Sequence, residues 1–197
     1  PEGAVLSGAD LVVHSLHKTL PSLTQTALLH AADARTAEAV SEQLDMLQTT
    51  SPSYLLMASM DGCVSLLEEE GERLLPSWLR MLRGAADELR GLQRLSIWRE
   101  GAFDPAKLVI SCAGADITGQ QLSRRLLNEY RIDMEMAQER YALAMGGLGD
   151  TAEDWLRLTN ALLNIDRTLQ AAAKPPVEPL PAPETVCLPH EALAQPF

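Results

Sequence analysis

The chain has 197 residues, a net charge of −11, and no apolar run long enough to span a bilayer. So acidic a balance argues against nucleic acid or an anionic membrane as partner and suits a cationic one. Three cysteines, Cys63, Cys112 and Cys187, are odd in number and far apart, which points to free thiols in a reducing, cytoplasmic setting.

In chain order, the continuous apolar run at residues 11–13 predicts a short strand buried on both faces, closing a βαβ unit. It delivers Lys18, the one lysine of the first hundred residues, to the strand's end beside Ser15 and His17. Burial there would disfavour the ammonium and leave a neutral amine able to condense with an aldehyde. Ser15 and His17 are suited to hold an anion beside it. The plain alternative is a strand-end lysine reaching solvent. His14 is expected on the strand face opposite His17, as a core or interface histidine. The pair His14-x-x-His17 has no third ligand nearby, so no metal is expected.

Residues 25–30 predict a second strand and residues 36–48 a helix. Ser51 reads as an N-cap with Pro52 at the first helical position. Leu55, Leu56, Ala58, Met60, Val64 and Leu67 then cover one helical face, which Glu68-Glu69-Glu70-Gly71 ends or kinks. A further helix is expected over residues 76–90, with Trp78, Leu79, Leu82, Ala86 and Leu89 inward.

The texture changes near residue 92. Strands are predicted at 94–98 and 107–111, separated by the turn Phe103-Asp104-Pro105. Thr118 caps a helix over 119–130, and strands are expected at 132–136 and 141–145. Gly146-Gly147-Leu148-Gly149-Asp150 reads as a plain turn. Thr151 and Asp154 make a capping box for a last helix with Trp155, Leu158, Leu162, Ile165 and Leu169 inward. From Lys174 onward seven of 24 residues are proline, the composition of an extended linker. The chain thus divides into residues 1–91, a small α/β domain at 92–173, and a linker at 174–197. Opening on Pro1 and stopping at Gln195-Pro196-Phe197, it reads as a piece truncated at both ends.

The segment His14-Ser15-Leu16-His17-Lys18-Thr19-Leu20-Pro21-Ser22-Leu23-Thr24-Gln25-Thr26-Ala27 closely resembles the cofactor-lysine segment of the ornithine/lysine/arginine decarboxylases. These are pyridoxal-phosphate enzymes of fold-type I, with the aspartate-aminotransferase fold. Gln48-Thr49-Thr50-Ser51-Pro52-Ser53-Tyr54-Leu55-Leu56 and Asp104-Pro105-Ala106-Lys107-Leu108-Val109-Ile110, followed by residues 122–132, resemble the same family in the same order.

The resemblance implies an α/β fold in which residues 1–91 are the C-terminal portion of the cofactor-binding large domain. It implies pyridoxal 5'-phosphate joined to Lys18, with Ser15 and His17 on the phosphate. Thr49, Thr50 and Ser51 would lie near the phosphate of a neighbouring subunit's cofactor; a simple helix cap explains them equally well. The acid that pairs with the pyridine nitrogen and the group stacked on the ring would lie upstream of Pro1. The activity implied is decarboxylation of arginine, lysine or ornithine to a polyamine-type product by a homodimer, with this piece inactive alone. Two alternatives stay open: an aminotransferase or other fold-type I lyase, and a non-catalytic piece that only pairs with other chains.

Overall fold

The computed structural model describes residues 3–99, 101, 103–172 and 181–193. Lys174 and the start and end of the proline-rich segment lie outside them. Thirteen elements follow in order: β1 (Leu11–Ser15), α1 (Leu16–Thr19), β2 (Ala27–Ala31), α2 (Ala34–Leu47), α3 (Tyr54–Glu88), a 3₁₀ turn (Leu89–Gly91), β3 (Ser96–Ile97), β4 (Lys107–Ser111), α4 (Gly119–Tyr130), β5 (Met136–Ala137), β6 (Tyr141–Met145), α5 (Ala152–Asp166) and α6 (Pro189–Leu193).

β1 and β2 form a two-stranded antiparallel ribbon, with Val13 opposite Leu29 and Ser15 opposite Ala27. The expected burial of β1 on both faces is not found: Val13 is 68% exposed, and Leu11 and Leu29 are exposed too. Among the described residues no third strand joins this ribbon, so its apolar side chains have no layer to pack against. His14 is likewise no core residue. It is exposed, and its ring meets that of His30 edge-on, 4.8 Å between centroids.

The two helices expected over residues 51–90 are one, running 35 residues through Pro76. Glu68, Glu69, Glu70 and Glu72 are good helix formers, and Arg73 pairs with Glu70 one turn back, so nothing there stops the helix. The proline costs one backbone bond, which the burial of Leu82 and Ala85 further along offsets. The cap is Ser53, whose Oγ accepts the Leu56 N–H at 3.4 Å, and Ser51 lies two residues before that cap.

The second sheet is antiparallel throughout, in the order β3-β4-β6-β5. Leu108, Ile110, Ala142 and Ala144 alternate with outward neighbours and face α4, α5 and the end of α3. Leu122, Leu126, Leu158, Leu162 and Ile165 close this core with Leu82, Ala85 and Leu89. The predicted capping box of Thr151 with Asp154 forms, and the predicted cap Thr118 proves to be a full box with Gln121. Gly119 is required by close approach: a Cβ there would sit 1.9 Å from the Tyr141 carbonyl oxygen.

Two strands are shorter than expected, each because its backbone is committed elsewhere. The N–H groups of Gln93, Arg94 and Leu95 donate to the buried Asp166 carboxylate at 2.8, 2.9 and 2.8 Å, which leaves only Ser96–Ile97 for β3. Arg131 takes a left-handed conformation and Ile132 N–H returns to the Leu126 carbonyl, ending α4 and delaying β5 to Met136. Cys63, Cys112 and Cys187 form no disulfide. No helix among the described residues is long and apolar enough to cross a membrane.

Candidate active site

The turn from β1 into α1 is fixed by Thr26. Its carbonyl accepts the Leu16 N–H at 3.1 Å, and His17 Nδ1 lies 2.9 Å from the same oxygen. A carbonyl can only accept, so Nδ1 carries the proton. Thr26 is buried, its hydroxyl donating to the Leu23 carbonyl at 2.7 Å, with Ser22 Oγ at 2.8 Å. Ser22 and Leu23 meet Ser59 of α3, and the Leu148 N–H donates to the Thr19 carbonyl at 2.8 Å. Buried Leu16 and these bonds seat α1 against α3 on one side and the loop after β6 on the other.

This seating opens a groove of about 570 Å³ between α1 and the ends of β4 and β6. Its walls include apolar Val13, Leu16, Leu20 and Met145, and its polar lining includes Ser15, Lys18, Asp104, Lys107 and Glu135. Lys18 Nζ lies 3.6 Å from Glu135 Oε1, and its side chain is 51% exposed. The sheltered amine expected from the sequence is therefore half open to water in this chain, because α1 swings it over the groove mouth instead of continuing the strand. Ser15 stands at the N-cap of α1 without a side-chain capping bond.

On the opposite wall, Lys107 Nζ donates to Asp104 Oδ2 at 2.5 Å, and Ala106 N–H donates to Oδ1 at 2.9 Å. Burial by itself would raise the Asp104 pKa. The Lys107 and Ala106 hydrogen bonds and the Lys107 charge together outweigh burial and hold it below the usual carboxylate value.

Of the six residues singled out in the sequence, the groove brings Ser15 and Lys18 together. His17 is held behind them at Thr26. Thr49, Thr50 and Ser51 are exposed in the turn between α2 and α3, do not line this groove, and do not head the helix as expected. Their one internal bond runs from Ser51 N–H to Thr49 Oγ1 at 3.2 Å. Sequence reading assigned no role to Asp104, Lys107 or Glu135. The i,i+3 spacing of Asp104 and Lys107 across a proline turn is a local signal for the first two. Glu135 meets Lys18 across 117 positions of chain, by tertiary packing alone.

Residues 5–102 match the major domain of the Orn/Lys/Arg decarboxylases. The arginine decarboxylase of Bacillus subtilis is 32% identical over 84% of this chain and 36% of its own length. The chain thus spans about a third of the length of the curated relatives it matches. The constitutive lysine decarboxylase of Escherichia coli superposes with a TM-score of 0.68 at 22% identity, over 80% of this chain and 28% of that one. An alanine–glyoxylate aminotransferase from Nostoc gives 0.62 at 17% identity, over 80% of this chain and 48% of that one. These likenesses identify the α/β fold as the fold-type I architecture of pyridoxal-phosphate enzymes. By its sequence match through the Lys18 segment and the relatives that align across most of its length, the chain belongs to the Orn/Lys/Arg decarboxylase family.

Proposed function

We propose that this chain is part of a pyridoxal-phosphate-dependent decarboxylase that acts on a basic amino acid and releases a polyamine-type product, working as a homodimer. The observation that carries the reading is the groove itself: an accessible amine, a free hydroxyl and a carboxylate converge on a cavity of about 570 Å³. That size suits a small-molecule cofactor with its substrate.

The residues fit the cofactor. Lys18 would hold it covalently through its aldehyde carbon. Ser15 would donate to its phosphate, with His17 oriented behind by the Thr26 carbonyl. Thr49, Thr50 and Ser51, outside the groove of their own chain, remain candidates for the phosphate bound by a neighbouring subunit. No residue described here is assigned to the pyridine nitrogen or to the face of the ring. When bound, the cofactor supplies an electron sink for the pair left on the α-carbon as carbon dioxide departs.

The protein's part is orientation and charge. Lys18 would be the residue whose amine holds the cofactor in position for the substrate. Glu135, 3.6 Å from the Lys18 amine, supplies negative charge where the cationic end of a basic side chain can settle once Lys18 is engaged. Leu16, Leu20 and Met145 supply apolar wall to the groove.

The test uses the intact protein saturated with pyridoxal phosphate. A yellow protein-bound band that Lys18→Ala abolishes, with an amine and carbon dioxide formed from arginine, lysine or ornithine, supports the reading. A keto acid in place of the amine would make it an aminotransferase. A band that survives Lys18→Ala would refute the assignment of the lysine.

A further inference from the structure

The groove contains a second lysine that the assignment above leaves without a role, and its surroundings are built. Lys107 opens β4 opposite Met145 of β6, and both residues line the groove with Lys18. Asp104 holds it twice. The Lys107 N–H donates to the Asp104 carbonyl at 3.0 Å, closing the turn, and the Nζ donates to Oδ2 at 2.5 Å. The second carboxylate oxygen is taken by Ala106 N–H, so Asp104 is itself immobilised. An ammonium has three N–H donors, and one suffices for Asp104. The others are left for an acceptor in the groove, since among the described residues Asp104 is the side chain that Lys107 Nζ bonds.

A basic amino acid brings three charged groups to such a site. Its amine is consumed at the position of Lys18, and its distal cation matches Glu135. Its α-carboxylate needs a cation, and among the described residues Lys107 is the one lysine or arginine lining this groove apart from Lys18. The imidazole of His14 also reaches the wall, but its ring is packed against His30. We infer that Lys107, held in place by Asp104, binds the substrate's α-carboxylate. Lys107 would thereby set the acid's orientation and distinguish amino acid from amine product. The inference rests on the reading of the groove as the decarboxylase site. It makes Asp104-Pro105-Ala106-Lys107 a substrate clamp as well as a turn.

The experiment compares two ligands that differ in that carboxylate. The intact protein saturated with pyridoxal phosphate is titrated with L-arginine and with agmatine, its decarboxylated counterpart, following the change in the bound cofactor's spectrum. The same pairing is repeated with L-lysine and cadaverine. Lys107→Met is expected to weaken binding of the amino acid roughly ten- to a hundredfold, the size of a lost charge-assisted hydrogen bond. The amine's affinity should stay within about twofold of the wild type, less than half a kcal/mol. Lys107→Arg should restore most of the amino-acid affinity by returning the cation. Equal weakening of acid and amine, or no change in either, overturns the proposal. A Lys107→Met protein that keeps the cofactor band but loses affinity for both ligands alike would point to a structural role and also overturn it. A wild-type protein that shows no cofactor band at all refutes the decarboxylase reading, and the clamp falls with it.

Discussion

Asp166 offers the sharpest test of how this fold is held together. Its carboxylate ends α5, where the helix dipole disfavours a negative charge, and it is 5% exposed. Only the N–H groups of Gln93, Arg94 and Leu95 justify that placement. In Asp166→Ala all three donors lose their acceptor. Gln93 and Arg94 are exposed enough for water to replace it, whereas Leu95 is buried and its N–H would stay unpaired. Such an orphan costs about 1–3 kcal/mol, and each charge-assisted bond exchanged for water loses up to roughly another kcal/mol. The sum is about 1–5 kcal/mol, or a fall in Tm of roughly 2–20 °C for a chain of this size. Asp166→Asn keeps one acceptor oxygen for Arg94 and Leu95 but turns an amide N–H toward Gln93, so about half the loss is expected. Urea titration followed by far-UV circular dichroism measures both, with Leu162→Ala, a fully buried core truncation, as a reference at about 2–5 kcal/mol. An Asp166→Ala protein within about 1 kcal/mol of wild type, beside a Leu162→Ala protein that loses its full amount, would show that residues 93–95 need no such anchor.

Three further outcomes follow from the same structure. Gly119→Ala should destabilise by more than about 3 kcal/mol, because its methyl meets the Tyr141 and Gln138 carbonyl oxygens at 1.9 and 2.3 Å and backbone cannot yield cheaply; thermal melts check this. Ser53→Ala should cost about 1 kcal/mol as a lost N-cap while Ser51→Ala is neutral, the reverse of what residues 51–52 suggest by themselves; paired melts decide it. The Lys107 and Ala106 hydrogen bonds and the Lys107 charge hold Asp104 below the ordinary aspartate value, so its contribution is fully present above that value and is lost as pH falls through the folded pKa. Acid titration of stability should therefore lose part of its slope below about pH 4 in Lys107→Met, and an unchanged slope would show that the pair adds nothing.

Much of this protein is legible without coordinates because the relevant physics is local. The Ser15-x-His17-Lys18 run, the cap at Thr118, the capping box at Thr151 and the inward stripe from Trp155 to Leu169 depend on neighbours within a turn or two. Reading fails where a distant group intervenes. Residues 94–98 have strand-like side chains, yet Asp166, more than seventy positions away, takes the backbone donors a strand would use. The break expected at Glu68–Gly71 does not occur, since a run of glutamates that looks like an ending is also a run of strong helix formers.

Strands β4 and β6, helices α4 and α5, and the family were determined by the sequence alone, because they rest on residue spacing and on segments that keep their identity in any context. Tertiary structure decided which groups share a cavity. It left Lys18 half open beside Glu135, set Lys107 and Asp104 on the facing wall, and moved Thr49, Thr50 and Ser51 out of the groove. The reason is physical: a sheet brings together residues whose separation along the chain carries no energetic signature until the strands pair.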